Sequence, residues 1–422
     1  MSIRNLNALF SPDTIALIGA SNRAGSVGAV LARNLFEAGF SGPILTVNPN
    51  ERAIRSALNY HSISELPLAP DLAIIATPPD SVPGLIRELG ERGCRAAVVI
   101  TAGFGEGESA DGKALKQAML EAAKPYLMRI VGPNCLGILL PHRGINASFA
   151  HIMPQKGDVA FVTQSGAVAT SILDWASARG IGFSHVISLG SMSDIDFGDM
   201  LDYLALDPNT RSILIYMEAV TEARKFLSAA RMASRNKPVV VVKAGRSDAG
   251  AKAALSHTGA LAGSDAVYDA AFRRAGMLRV NTLDELFQAA GTLATGIRVK
   301  GDRLAILTNG GGAGVLAVDE LADRQGHLAE LSESTLARLD ALLPKAWSHA
   351  NPVDILGDAP GQRYAGALEA LLDEPGADAV LVMNCPAAVA DSLDAAQSVV
   401  ATLGERRPAV LTCWLGEGAP AE

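Results

Sequence analysis

Short apolar runs recur along the chain: TIALIG, PILTVN, LAIIAT, AAVVIT and RIVG, then DVAFVT, HVISLG, SILIYM and PVVVVKAG, then RLAILT, AVLVMN and AVLTCW. Helix-sized amphipathic segments separate them. A strand with one wet face alternates apolar and polar residues, whereas an unbroken Val/Ile/Leu run marks a parallel strand covered by helices on both faces. The pattern therefore predicts an α/β fold of doubly wound, mostly parallel sheets. The strand series restarts near HIMPQKGD (151–158) and again near TGIRVKGD (295–302), each a polar stretch before a new strand. This predicts three successive Rossmann-like or flavodoxin-like units, 1–150, 151–298 and 299–422. The third is about a strand and a helix short, so an incomplete C-terminal end is expected for it.

The length of 422 residues agrees with three units at roughly 100–200 residues per domain. With 49% hydrophobic and 19% charged residues the chain is globular, not disordered. Its apolar runs fall far short of the roughly 20 residues a membrane span needs, and the N-terminus, MSIRNLNALFSPDT, has no apolar targeting segment. A cytoplasmic location is expected. Thirty-six Lys and Arg against 44 Asp and Glu give a net charge of −8 with no basic run, which disfavours nucleic acid and anionic membranes as partners. An anionic ligand then has to be held by local backbone geometry. Cys94, Cys135, Cys385 and Cys413 form no C-x-x-C, and no two of the seven histidines have metal-ligand spacing on a helix. A zinc site, a disulfide framework and a metalloenzyme all lack support, and the cysteines read as small buried hydrophobes.

After the first strand comes Gly19-Ala-Ser-Asn-Arg-Ala-Gly25-Ser-Val-Gly28, then a helix expected over 29–38 that closes at Gly39. Glycines between strand and helix let the backbone approach a phosphate, which then meets free N–H groups and the positive end of the helix dipole. A dinucleotide site would instead show G-x-G-x-x-G and an acid at the end of the second strand. Here the spacing is G-x5-G-x2-G and the second strand ends Val47-Asn48-Pro49-Asn50. A phosphorylated cofactor other than NAD fits this loop better than NAD or a structural turn. The following strand ends, Ala76-Thr77-Pro78-Pro79-Asp80-Ser81 and Thr101-Ala102-Gly103-Phe104-Gly105-Glu106, lie on the sheet edge where α/β ligands bind. Each read alone is ordinary turn chemistry, with Asp80 or Ser81 as a helix N-cap.

Taken in order, GAS…GSVG, NP, ATPP, ITAGF and Gly132-Pro133-Asn134-Cys135-Leu136-Gly137 resemble the CoA-binding domain of the nucleoside-diphosphate-forming acyl-CoA synthetases, the superfamily that includes the succinyl-CoA synthetase α subunit. The resemblance continues through Thr163-Gln-Ser-Gly-Ala-Val168, Glu218 and Ser256-His257-Thr258-Gly259 to Asn309-Gly310-Gly311-Gly312-Ala313-Gly314 and Asn351-Pro352-Val353-Asp354. It implies a coenzyme A site formed by Ser21, Gly25, Val27, Gly28, Asn48, Pro78, Thr101 and Asn134. One position departs from it: family members commonly carry Lys after the Asn-Pro, whereas this chain has Asn50, with Arg52 and Arg55 nearby.

Of the seven histidines, His257 alone has suggestive neighbours, in a Gly/Ser/Ala-rich stretch (244–265) that reads as a long functional loop. Two strand-to-helix turns, at Ser165-Gly166 and Gly311-Gly312, open amphipathic helices in successive units and offer N–H donors to a phosphate. The first helix groups Val168, Ile172 and Trp175 and is expected to stop at Gly180; the second groups Val315, Val318 and Ala322 and stops at Gly326. A neutral imidazole is a nucleophile whose phosphate adduct needs such donors. A carboxylate at a strand end, Glu218, can accept the other ring N–H and fix the tautomer. The resemblance implies that His257 is phosphorylated and that Glu218 holds it. Retention of His257 favours catalysis, since fused protein lysine acetyltransferases of the superfamily can lack it.

The expectation is the α-type portion of an ADP-forming acyl-CoA synthetase, an acid–thiol ligase of the acetate–CoA ligase type. It interconverts acyl-CoA, ADP and phosphate with acid, CoA and ATP through an acyl phosphate and a phosphohistidine. ATP, ADP and Mg2+ would sit on an ATP-grasp partner, either a β-type subunit or a fused domain, and an oligomer is expected. The rival readings are a CoA-sensing regulatory region of a lysine acetyltransferase and, last, an NAD-dependent oxidoreductase.

Overall fold

The computed structural model describes residues 3–105, 109–247, 249–250, 252, 264–297, 299–404 and 408–416. They form two compact units, Met1–Thr295 and Gly296–Glu422.

The first unit contains two seven-stranded sheets. In the first, β1 (Ile15–Ile18) is flanked by β2 (Ile44–Val47) and β5 (Leu72–Ile75), followed outward by β6 (Ala96–Val99) and β7 (Arg129–Val131). Beyond β2 lie β4 (Ala57–Tyr60) and the short β3 (Ala53–Ile54), which is antiparallel to β4; the remaining pairs are parallel. The unbroken apolar strands divide their side chains between two cores, as covering on both faces requires. Ile15, Leu17, Leu72, Ile74, Ala96 and Val98 face one, and Ala16, Ile18, Ala73, Ile75, Ala97 and Val99 the other.

The second sheet repeats this plan with β10 (Lys156–Thr163) between β11 (Phe183–Ser188) and β12 (Ser212–Met217), then β13 (Val239–Lys243) and β14 (Leu278–Val280). Its far edge is an antiparallel hairpin, β8 (Gly137–Leu140) and β9 (Ile145–Ser148), with β8 antiparallel to β11. The hairpin lies before residue 150, where the pattern places a unit boundary, yet it pairs into the second sheet. Ala160, Val162, Ile213 and Ile215 pack into the same core as Ile15 and Leu17, so the first two sheets share one hydrophobic layer.

In both sheets the first strand of the series has a later strand on either side, the switch point at which α/β folds open a crevice at the strands' carboxyl ends. Helices covering the unit include α1 (Leu6–Phe10), α2 (Val27–Glu37), α3 (Val82–Glu91), α4 (Ala110–Ala123), α5 (Gly166–Ser177), α6 (Phe197–Leu206) and α7 (Ala223–Asn236). The helix expected from residue 29 starts earlier, because the Ser26 hydroxyl caps it by accepting from Ala29 N–H at 3.2 Å. Ser81 stands at the N-cap of α3, but its hydroxyl donates backward to the Pro78 carbonyl at 2.7 Å.

The second unit holds β15 (Arg303–Thr308) between β16 (His327–Leu328) and β18 (Ala379–Asn384), with β19 (Val410–Trp414) outside β18 and β17 (Val353–Asp354) also on β15. Its first helix, Gly311–Asp323, starts where expected and departs from expectation along its apolar face and at its C-terminal end. Val315 is 60% exposed, Val318 half-buried and Ala322 exposed, so the anticipated apolar face is not buried within the described residues. The left-handed residue that ends the helix is Gln325 (φ 63°), not Gly326. A Cβ at Gly326 would stand 2.3 Å from Leu321 Cδ1, so a side chain there would displace the end of the Leu321 side chain. Among the described residues no helix is long and apolar enough to cross a membrane, and no group of three or more His, Cys, Asp or Glu is placed to hold a metal ion.

Candidate active site

Where the two sheets of the first unit meet, a cavity of about 540 Å³ opens between their carboxyl-edge loops. Val27, Thr101 and Asn134 line it from the first sheet, and Gln164, Ser165 and Gly166 from the second. Helix α5 begins here. The Ser165 hydroxyl accepts from Val168 N–H at 3.3 Å, a cap worth about 1 kcal/mol, while the first turn keeps N–H groups for an incoming anion. Leu136 and Phe149 supply apolar wall, and Gly190 and Ser191 more backbone. The wall sits close to the helix start: a Cβ at Gly166 would touch Leu136 Cβ at 3.4 Å.

The loops of the first sheet are cross-braced by their polar side chains. Thr101 donates its hydroxyl to the Thr77 carbonyl at 2.7 Å, and its own carbonyl accepts from Asn134 N–H at 2.9 Å. Asn134 takes the left-handed conformation (φ 55°), which Asn tolerates better than most residues. Asn48 donates to the Ala20 carbonyl at 2.6 Å and accepts from Asn50 N–H at 2.8 Å. Ser21 accepts from Arg23 N–H at 3.0 Å. Gly28 has no room for a side chain, since a Cβ would stand 2.1 Å from the Gly19 carbonyl oxygen. Gly25 is left-handed (φ 77°) with open space around it. Pro78 precedes the short turn Pro79–Ser81. Ser21, Gly25, Gly28, Asn48 and Pro78 thus shape the loops without lining this cavity. Of the two nearby arginines, Arg55 is paired with Glu37 at 2.6 Å.

Cys135 also lines the cavity, but its thiol donates to the Val99 carbonyl at 3.3 Å and burial pushes its pKa up to about 12. It stays a thiol at neutral pH and is no nucleophile.

Glu218 follows β12 and is 7% exposed. Three successive N–H groups of its turn are held by side chains from other elements. Gln164 Oε1 accepts from Glu218 N–H at 2.6 Å and from Ala219 N–H at 2.9 Å. Tyr268, on the helix Asp265–Ala275, accepts from Val220 N–H through its phenol oxygen at 3.2 Å. Gln164 belongs to the cavity lining as well, so one side chain joins the α5 anion site to the Glu218 turn. Neither Gln164 nor Tyr268 stands out in the sequence. A Gln directly after the strand run DVAFVT, immediately before a Ser-Gly helix start, is the signal available for the first; nothing local marks the second.

His257 lies outside the described residues. Gly311 and Gly312 open the helix Gly311–Asp323 of the second unit, where a Cβ at Gly311 would stand 2.8 Å from Asp354 Oδ2 and one at Gly312 would meet nothing.

Residues 13–141 match the CoA binding domain family, and residues 156–293 match the succinyl-CoA ligase like flavodoxin domain family. The chain is 44% identical over 395 residues to the ADP-forming acetate–CoA ligase I of Archaeoglobus fulgidus, covering 94% of this chain and 57% of that protein. It is 40% identical over 415 residues to the α subunit of the ADP-forming acetate–CoA ligase I of Pyrococcus furiosus, covering 96% of this chain and 89% of that subunit. The solved dinucleotide forming acetyl-coenzyme A synthetase 1 of Ca. Korarchaeum cryptofilum, in complex with phosphate and ADP, matches with a TM-score of 0.92 and 36% identity over 98% of this chain and 89% of that one.

Proposed function

Because the chain belongs to the family of ADP-forming acetate–CoA ligase α subunits, we propose that it carries the acyl-CoA and phosphohistidine half of an ADP-forming acyl-CoA synthetase. The observation that supports this most directly is the sharing of one cavity by the CoA-side residues Val27, Thr101 and Asn134 and the helix start at Ser165–Gly166. A thioester and a phosphate have to meet in one place for this chemistry, and the cavity offers loop backbone on one side and free helix N–H groups on the other.

In the first step a phosphate oxygen attacks the thioester carbonyl. The C–O bond forms, the C–S bond breaks, and CoA leaves as a thiolate that takes up a proton. The N–H groups at the start of α5 hold the phosphate, and Ser21, Gly25, Gly28, Asn48 and Pro78 shape the loops assigned to CoA. In the second step the neutral imidazole of His257 attacks phosphorus of the acyl phosphate and the carboxylate departs. Glu218 accepts the other ring N–H, so the attacking nitrogen is the unprotonated one and the positive charge that develops on the ring has a counter-charge. The phosphoryl group then passes to ADP on an ATP-grasp partner, with Gly311 and Gly312 offering a second anion site. Mg2+ belongs with that nucleotide.

The test supplies the chain with an ATP-grasp partner subunit and γ-labelled ATP. One label per chain, lost in acid and kept in base, is expected of a phosphoramidate. Glu218→Gln is expected to fold and to bind CoA normally but to label at least tenfold more slowly. A Glu218→Gln chain that labels at the normal rate leaves Glu218 as a strand-end acid.

A further inference from the structure

β7 is the outermost strand of the first sheet, so the N–H and C=O groups along its outer side need partners that the sheet does not supply. The segment after β11 supplies them. Ser191, Ser193 and Ile195 donate their N–H groups to the carbonyls of Pro133, Gly132 and Ile130 at 2.9, 3.1 and 3.1 Å. In return, Ile130 N–H donates to Asp194 Oδ2 at 2.8 Å, and the same oxygen accepts from Arg129 Nε at 3.0 Å. One carboxylate oxygen therefore fastens the segment 189–195 to the start of β7 through a backbone donor and a guanidinium donor, both charge-assisted and so of the stronger kind.

Arg129 is 8% exposed and reaches further, to Asp199 Oδ2 on α6 at 3.1 Å. Lys225 of α7 meets that oxygen at 2.7 Å and Asp196 Oδ1 at 2.9 Å, and Asp196 caps α6 by accepting from Gly198 N–H at 2.8 Å. Compared with an apolar filling, a buried ion network of this kind adds little net stability. What it fixes is the position of the chain that carries it. The other end of the same segment is a wall of the candidate active site. Gly190 and Ser191 line that cavity together with Asn134, and a Cβ at Gly190 (φ 54°) would stand 2.3 Å from the carbonyl oxygens of both Pro133 and Asn134. With the two backbones in contact, a shift of the segment moves the wall and Asn134 together.

We infer that Asp194 and Arg129 are positioning residues of the coenzyme A site: their pair holds the segment 189–195 against β7 and thereby sets the Gly190–Ser191 wall beside Asn134. This rests on the assignment of that cavity to CoA. Neither side chain lines the cavity, and both act through the backbone between Asp194 and Gly190. A separate cavity of about 660 Å³ has Arg129, Asp194, Asp199 and Lys225 in its wall. Water can therefore take the place of a truncated Asp194 carboxylate and keep Arg129 hydrogen-bonded. The fold survives such a change, but a water molecule does not tie the segment to β7.

The experiment titrates CoA into the full chain by isothermal calorimetry. Asp194→Ala is expected to fold and to bind CoA about tenfold more weakly, inside the hundredfold that a misplacement of about 1 Å can cost. Asp194→Asn keeps an oxygen for Ile130 N–H and is expected to lose less affinity. With an ATP-grasp partner present, the Asp194→Ala loss is expected in KM for CoA, with kcat within about twofold of the wild type. Asp158→Ala controls for general destabilisation. It breaks a 3.2 Å ion pair with Arg211 near the amino end of β10 and should bind CoA as the wild type does. Should Asp194→Ala not fold, Asp194→Asn carries the reading, and wild-type affinity in it counts against the proposal in the same way. A folded Asp194→Ala chain with the wild-type Kd, or an Asp158→Ala chain that loses as much affinity, overturns the proposal. A wild-type chain that does not bind CoA overturns instead the assignment of the cavity to CoA.

Discussion

Gln164 and Glu218 are 54 positions apart, and the 2.6 Å hydrogen bond from Glu218 N–H to Gln164 Oε1 joins the ends of two neighbouring strands, β10 and β12. The same oxygen accepts from Ala219 N–H. One amide oxygen therefore sets the direction in which the Glu218 side chain leaves the sheet. Removing it strands two N–H groups in a buried turn, at about 1–3 kcal/mol each. Gln164→Leu is accordingly expected to lower the thermal midpoint and to slow histidine labelling at least tenfold. Gln164→Glu keeps an oxygen to accept from both N–H groups and is expected to fold like the wild type, with slower labelling because it sets a second carboxylate beside Glu218. Differential scanning calorimetry and labelling rates test the pair; a Gln164→Leu chain that matches the wild type in both removes Gln164 from the site.

Coenzyme A is the ligand the first sheet should recognise. Asn48 stands at the end of β2, where a nicotinamide dinucleotide would need an acid, and it braces the glycine loop through the Ala20 carbonyl. At a hundredfold excess over Kd, CoA is expected to stabilise the fold by about 2.7 kcal/mol, seen as a rise in thermal midpoint. NAD and NADP should give none. A shift with NAD and none with CoA would reverse the assignment of this site.

The strand plan and its glycine-rich edges could be read from the sequence because both are local. Unbroken apolar runs of four to six residues have one common use in an α/β fold, and Ser165–Gly166 announces a helix start. What was not legible was assembled over distance. The hairpin 137–148 follows the first strand series and yet pairs with β11, a choice made by tertiary packing. Tyr268 reaches Val220 from 48 positions away, and no spacing encodes that. Gln325 in place of Gly326 as the left-handed residue shows the same limit at small scale.

His185 gives the fold a pH dependence of its own. It is 6% exposed on β11, against Phe10 and Tyr203, and burial pulls its pKa down to about 4 although Asp207 acts to raise it. The ring is neutral in the folded chain and free to protonate once unfolded, so the unfolded state binds more protons between pH 6.5 and 4. Stability is full above about pH 6.5 and is lost as pH falls through that window, by roughly 3 kcal/mol in all. Denaturant unfolding from pH 8 to 4 should show this slope, and His185→Gln should flatten it. An equal slope in the variant would assign the acid lability to other groups.

His257 decides between an enzyme and a CoA sensor. His257→Asn is expected to abolish the acid-labile label while leaving the rise in thermal midpoint with CoA unchanged, since the residues assigned to CoA belong to loops of the first sheet and the phosphoryl acceptor to the stretch after β13. Ser256 and Thr258 are the nearest competing acceptors in sequence, and their phosphate esters survive acid, so the chemistry of the label separates them. Gly166 supplies the control for the anion site. A side chain there would press on Leu136 and crowd the helix N–H groups, so Gly166→Val should slow labelling with His257 still in place. Because the space beside Gly166 is tight and not closed, the variant is expected to fold, and an unchanged CoA response would confirm that it has. A label that persists in His257→Asn, or a competent partner that never labels the wild type, leaves CoA recognition without phosphoryl transfer as the activity of this chain.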